Sequence, residues 1–177
     1  TSGDALHKRG YRISGHPAPL KETVAATVLR LCGFDGSQNF FDPMCGSGTL
    51  GIEACYLALN KASGIHRKKG KFGLEHLSNF ESEMWRVVQD ECRQQKKDMM
   101  GIQIFLSDKD PSFVSLAKKT ALSARVEKHI NFQSQDFFET KKPAPSGILM
   151  TNLPYGERLN KNDDFKKIYK EIGDHLK

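Results

Sequence analysis

The chain has 177 residues, of which 38% are hydrophobic and 27% charged, enough for one domain with a core of its own. No apolar run is long enough to cross a bilayer, and the N-terminal residues lack the apolar centre of a signal peptide. Twenty-seven Lys and Arg against 21 Asp and Glu give a net charge of +6, which favours a polyanionic partner.

Thr1 to Arg12 is polar and basic and reads as a connector. Ala18 to Cys32 is predicted as a helix, with Leu20, Val24, Thr27, Val28 and Leu31 on one side, prolines 17 and 19 at its start and Gly33 at its end. A strand is predicted over Asn39 to Phe41 and a helix over Thr49 to Asn60. Lys61 to Asp98 is a charged insert with a helical stretch around Glu81 to Gln95. Ile102 to Leu106 reads as a second strand, Pro111 to Arg125 as a helix, and Ile130 to Phe132 as a short third strand. A turn at Pro143 to Ser146 precedes a fourth strand, Gly147 to Thr151. A final helix, Asp163 to Leu176, can be capped by Asp163 or Asp164. Alternating strands and helices predict a mainly parallel sheet, which binds ligands beyond its C-terminal strand ends.

The chemistry concentrates at such ends. Phe40 to Leu50 reads FFDPMCGSGTL: a strand end, Asp42, a glycine-rich turn through Cys45, Gly46, Ser47 and Gly48, then a helix. Glycines let a ligand approach the backbone, and the helix N-terminus offers open N–H groups to a carboxylate or phosphate. The turn has neither the lysine of a phosphate loop nor the GxGxxG spacing of a dinucleotide site. Alone it fits an ordinary tight turn. A second motif, Asn152-Leu153-Pro154-Tyr155, follows the fourth strand. An amide, a proline and an aromatic there form a grip for a planar base carrying an amino group.

Cys32, Cys45, Cys55 and Cys92 form no CxxC pair and no metal-ligand spacing, so they are read as reduced thiols in a cytoplasmic protein, with no metal. The basic run His66-Arg67-Lys68-Lys69-Gly70-Lys71 reads as a phosphate track or a solvated loop. Lys8, Arg9 and Arg12 carry the same two readings.

Together the motifs resemble class I S-adenosylmethionine-dependent methyltransferases that act on exocyclic amino groups. DPMCGSGT looks like their cofactor loop and NLPY like their [DN]PP[YF] motif. LHKRGYR (Leu6 to Arg12), APLKET (Ala18 to Thr23), the FGLEH…W insert (Phe72 to Trp85), SDKDP (Ser107 to Pro111) and NLPYGERL narrow the resemblance. They are similar to the THUMP-domain-linked RNA guanine-N2 methyltransferases, in particular the bacterial 23S rRNA type.

The resemblance implies an α/β, Rossmann-like methyltransferase fold and S-adenosylmethionine as cofactor. It implies a core over residues 37–177, with an insert at 61–100, behind a connector and helix over 1–36. The family's sheet has more strands than the roughly four legible here, so an incomplete fragment lacking C-terminal strands is expected. Asp42, Cys45, Gly46, Ser47 and Gly48 would floor the cofactor's methionine part. Asp108 would accept from the ribose hydroxyls, and Asp136 from the adenine amino group. Capping of the helix at Pro111 by Asp108 or Asp110, and an Asx-turn at Asp136, remain open. Lys21 and Thr23 would lie near the methionine end.

Asn152, Leu153, Pro154 and Tyr155 would be the catalytic set, with Leu153 where the family usually has Pro. Arg158 would meet RNA phosphate or brace the loop. The implied partner is RNA, with no membrane, in a parent chain that carries a THUMP domain, with or without a second methyltransferase domain. A tRNA guanine-N2 enzyme, a DNA adenine-N6 enzyme and a non-catalytic RNA-binding relative are the alternatives.

Overall fold

Four short parallel strands carry the fold, seen in a computed structural model that describes residues 4–13, 19–153 and 165–176. Helix α1 spans Glu22–Leu31, β1 Phe40–Asp42, α2 Thr49–Ala58, α3 Ser82–Gln94 and β2 Ile104–Asp108. Then come α4, Pro111–Ser123, β3, Ile130–Ser134, β4, Ile148–Leu149, and α5, Phe165–His175. The sheet order is β3-β2-β1-β4, all parallel. The chain steps outward from β1 to β3 and then returns to the far side of β1. The order therefore reverses beside β1, and crevices for ligands open at that point.

The predicted elements are all present, with shifted ends. The predicted starts at Ala18 and Asp163 lie outside the described residues. β1 and β2 each run further than the pattern suggests, to Asp42 and Asp108. Pairing explains the shift, because Asp42 is opposite Leu106 and Asp108 is opposite Ser134. A polar residue joins a ladder when its neighbour's backbone is there to meet it, which local hydropathy does not report. β3 likewise continues through the polar Gln133 and Ser134. β4 is shorter than expected, although the Met150 N–H still donates to the Phe41 carbonyl at 3.0 Å. Three short 3₁₀ turns, Gly73–His76, Glu127–His129 and Phe137–Glu139, escaped the pattern reading.

Side chains alternate along a strand, so Phe40 and Asp42 share a face with Ile104, Leu106 and Asp108. That face lies under α2, whose Gly51 approaches Leu106, and α4, whose Ala117 approaches Gly48. α1 adds Ala25 and Leu29 to the same buried cluster. On the other face, Phe41, Phe105 and Leu149 line a cavity of about 410 Å³ that Phe137, His175 and Leu176 also line.

The LHKRGYR segment is bound into this core. Tyr11 is buried and packs edge-on against Tyr56 at 5.6 Å. Its hydroxyl donates to Glu53 Oε1 at 2.8 Å, while Arg9 pairs with Glu53 Oε2 at 3.3 Å. Arg12 pairs with the buried Glu22 at 3.0 Å. Arg9 and Arg12 are thus committed to two buried carboxylates, which corrects their reading as phosphate contacts. Burial pushes the Glu53 carboxyl up, and Arg9 and Tyr11 pull it back.

The contact of α2 with the sheet has no spare room: a Cβ on Gly51 would lie 2.5 Å from Leu106 Cδ2. Gly51→Ala should therefore cost about 1–3 kcal/mol by overpacking. Denaturant unfolding measures this, and an unchanged midpoint would mean that α2 can slide freely on β2.

Candidate active site

The glycine-rich loop joins the end of β1 to α2, turning through Gly46 and Gly48 with φ of 51° and 78°. Its backbone is tied to the strand ends beneath it. The Met44 N–H donates to Asp42 Oδ1 at 3.2 Å, and the Cys45 N–H donates to the Ser107 carbonyl at 2.9 Å. The Gly46 N–H donates to Asp108 Oδ2 at 2.9 Å, and the Gly48 N–H closes back on the Cys45 carbonyl at 2.8 Å. Ser47 Oγ and Thr49 Oγ1 are buried, 3.3 Å apart. The first N–H groups of α2, from Thr49 to Gly51, have no intrahelical acceptor and supply the positive dipole end.

Asp42 and Asp108 are both buried, at 2% and 9% exposure. Neither has a cationic partner among the described residues; backbone N–H groups are their donors. Burial raises the Asp42 carboxyl from 3.8 to about 7, the Thr151 side chain and the Met44 amide lower it, and the Asp108 charge raises it further. The Thr151 side chain acts on Asp42, yet its buried Oγ1 makes no hydrogen bond among the described residues, and neither does the buried Ser107 Oγ. The Cys45 thiol is pushed well above its usual range by burial and by Asp42 and Asp108, so it stays neutral and is no nucleophile.

The remaining predicted residues arrive at the same edge from other strands. Asp110 caps α4 by accepting from the Ser112 N–H at 2.8 Å. Asp108 instead braces the turn, accepting from the Asp110 N–H at 3.1 Å. Asp136 follows β3 and accepts from the Phe138 N–H at 2.9 Å, which is the Asx-turn reading. Asn152 and Leu153 follow β4 and are half-buried. Pro154, Tyr155 and Arg158 lie outside the described residues. Sequence reasoning missed the buried hydroxyls of Ser107 and Thr151; their strand-end positions were the available signal.

A glycine-rich turn after the first strand, acidic residues at the next two strand ends and a β3-β2-β1-β4 order constitute the class I S-adenosylmethionine-dependent methyltransferase fold. The model of the UPF0020 family, described as an RMKL-like methyltransferase domain, matches residues 9–177. The chain belongs to this family. It is 41% identical over 180 residues to a ribosomal RNA large subunit methyltransferase K/L from Vibrio campbellii, covering 99% of this chain and 25% of that protein. The chain thus spans a quarter of that relative's length. Among solved structures, one named as "a putative methyltransferase complexed with SAH" superposes with a TM-score of 0.86 at 32% identity, over 99% of this chain and 45% of that one. A "predicted N6-adenine-specific DNA methylase" from Listeria monocytogenes superposes with a TM-score of 0.85 at 32% identity, over 97% of this chain and 44% of the other.

The Asp42 environment has a measurable consequence. Between pH 3.8 and about 7 the folded chain keeps a proton that the unfolded chain has released, so stability falls as pH rises through this window and levels off above it. Asp42→Asn, which keeps an acceptor for the Met44 amide, should flatten that dependence and be the more stable protein at about pH 8, by up to about 4 kcal/mol. Denaturant midpoints across the window decide it, and a variant with the parent's pH profile would contradict an unpaired, buried Asp42.

Proposed function

We propose that this chain is the S-adenosylmethionine-binding catalytic domain of an RNA methyltransferase, and that it methylates the exocyclic N2 of a guanine in 23S rRNA. The carrying observation is a contrast within the core. The buried Glu53 and Glu22 each have an arginine, whereas the buried Asp42 and Asp108 have no cation among the described residues. Buried carboxylates without countercharge are costly, and a ligand carrying positive charge and hydroxyl donors relieves that cost. The donor set fits this cofactor. Asp42 and the loop Cys45-Gly46-Ser47-Gly48 would hold the methionine end, Asp108 the ribose hydroxyls and Asp136 the adenine amino group.

When bound, the cofactor supplies an electrophilic methyl on a sulfonium sulfur. The guanine amino group is a poor nucleophile, because its lone pair is delocalised into the ring. The Asn152 side-chain oxygen and the Leu153 carbonyl would accept its two N–H groups and hold that lone pair toward the methyl. Pro154 disfavours helical geometry at Leu153, which suits an outward-facing carbonyl. Leu in place of the family's usual Pro leaves that carbonyl in service. Tyr155 would stack on the base, a contact worth ~1–3 kcal/mol. Orientation and electrostatics supply the rate, and no strong base is needed because the methylated ammonium loses its proton readily. Reaching a paired base requires flipping it out.

The Vibrio relative's name supports the rRNA target, and an rRNA target fits activity in the cytoplasm. The relative's additional length accommodates a THUMP domain and a second methyltransferase domain. Adenine N6 is the second reading, favoured by the name of the Listeria neighbour.

Asn152→Ala should abolish methyl transfer while S-adenosylhomocysteine still binds within about twofold, since a residue acting on the base contributes only after the cofactor is seated. Nucleoside analysis of treated RNA separates N2-methylguanine from N6-methyladenine. Loss of cofactor affinity in the variant would contradict the role given to Asn152.

A further inference from the structure

The basic segments at residues 8–12 and 66–71 lie far apart in the sequence, yet the fold brings them together around a groove of about 680 Å³. Lys8, Arg12, Lys21, Arg67, Lys68 and Lys71 line it, against two carboxylates among the described residues, Asp4 and Glu22. Close backbone contact fixes the juxtaposition. Gly10 has φ of 93°, and a Cβ there would meet the His66 carbonyl oxygen at 2.6 Å. The Asp4 N–H donates to the Lys71 carbonyl at 3.3 Å, and the Arg67 guanidinium donates to the Asp4 carbonyl.

The two acids are already taken. Asp4 pairs with Lys71 at 3.6 Å and Glu22 with Arg12 at 3.0 Å. Lys8, Lys21 and Lys68 have no ion pair among the described residues and are exposed. Three uncompensated ammonium groups in one concave surface repel one another, and an anion spread along a line of charges relieves that repulsion. His66 adds no charge near neutrality, because burial holds its imidazole down at about 4.

We infer that this groove is a docking track for the sugar–phosphate backbone of the RNA substrate, with Lys8 and Lys68, from its two basic segments, as phosphate contacts. It rests on the RNA reading above and adds to it a surface outside the catalytic loop. Contacts of this kind position the nucleic acid without reading its sequence.

The test uses the full-length protein and a fluorescently labelled RNA oligonucleotide, with affinity followed against salt. The double variant Lys8→Glu/Lys68→Glu should bind RNA more weakly and lower the slope of log affinity against log salt by about two. Its affinity for S-adenosylhomocysteine should match the parent's, which shows an intact fold. Lys118→Glu/Lys119→Glu on α4, an equal charge change elsewhere, should leave the slope unchanged. An unaltered slope in the first variant, an equal fall in the second, or displacement of RNA by polyglutamate at equal charge overturns the track. A parent protein that transfers no methyl to RNA overturns the catalytic reading instead, and the slope still decides the groove.

Discussion

Two carboxylates buried at neighbouring strand ends, with no cation beside them among the described residues, set the terms for the rest of the site. Asp42 closes β1 and Asp108 closes β2 on the same face of the sheet, and the Asp108 charge adds to the cost of ionising Asp42. What holds them is the backbone of the loop between β1 and α2. Met44 donates to one and Gly46 to the other, while Cys45 is tied to β2 through Ser107. A row of backbone N–H groups facing anions is the electrostatic device of a nest, and it fixes where α2 begins. Helix, loop and strand ends are therefore one unit, and α2 can sit this close to Leu106 because Gly51 has no side chain.

The other buried acids show the alternative arrangement. Glu53 and Glu22 lie in the helix layer, and the N-terminal segment carries Arg9, Tyr11 and Arg12 to them. A stretch that looks like a polar connector is thereby part of the core, with Tyr11 almost fully buried. Its one lysine, Lys8, has no ion pair among the described residues and lines the groove shared with the basic insert. The same seven-residue motif thus builds the domain with its arginines and presents a charge with its lysine.

Much of this was legible in the sequence. The sequence pattern located each described strand and long helix, including α3, which buries no residue, and α2, which is buried almost throughout. A cap at Asp108 or Asp110 and an Asx-turn at Asp136 were open alternatives from the residues beside them, and the structure selects Asp110 and the Asx-turn. The strand ends were not, because pairing of Asp42 with Leu106 and of Asp108 with Ser134 is a property of neighbours distant in the chain. The roles of Arg9 and Arg12 were misread for the same reason: Glu53 is 44 residues from Arg9 and Glu22 is 10 from Arg12. The strand order, and with it the crevice beside β1, emerges only from the assembled sheet.

The central claim is that the uncompensated carboxylates form a cofactor site. Calorimetric titration of S-adenosylhomocysteine into the protein and into its Asp108→Ala variant tests it most directly. The account predicts saturable one-to-one binding that the substitution removes, with the variant still folded by circular dichroism. Equal binding by both proteins, or none by either, would contradict it.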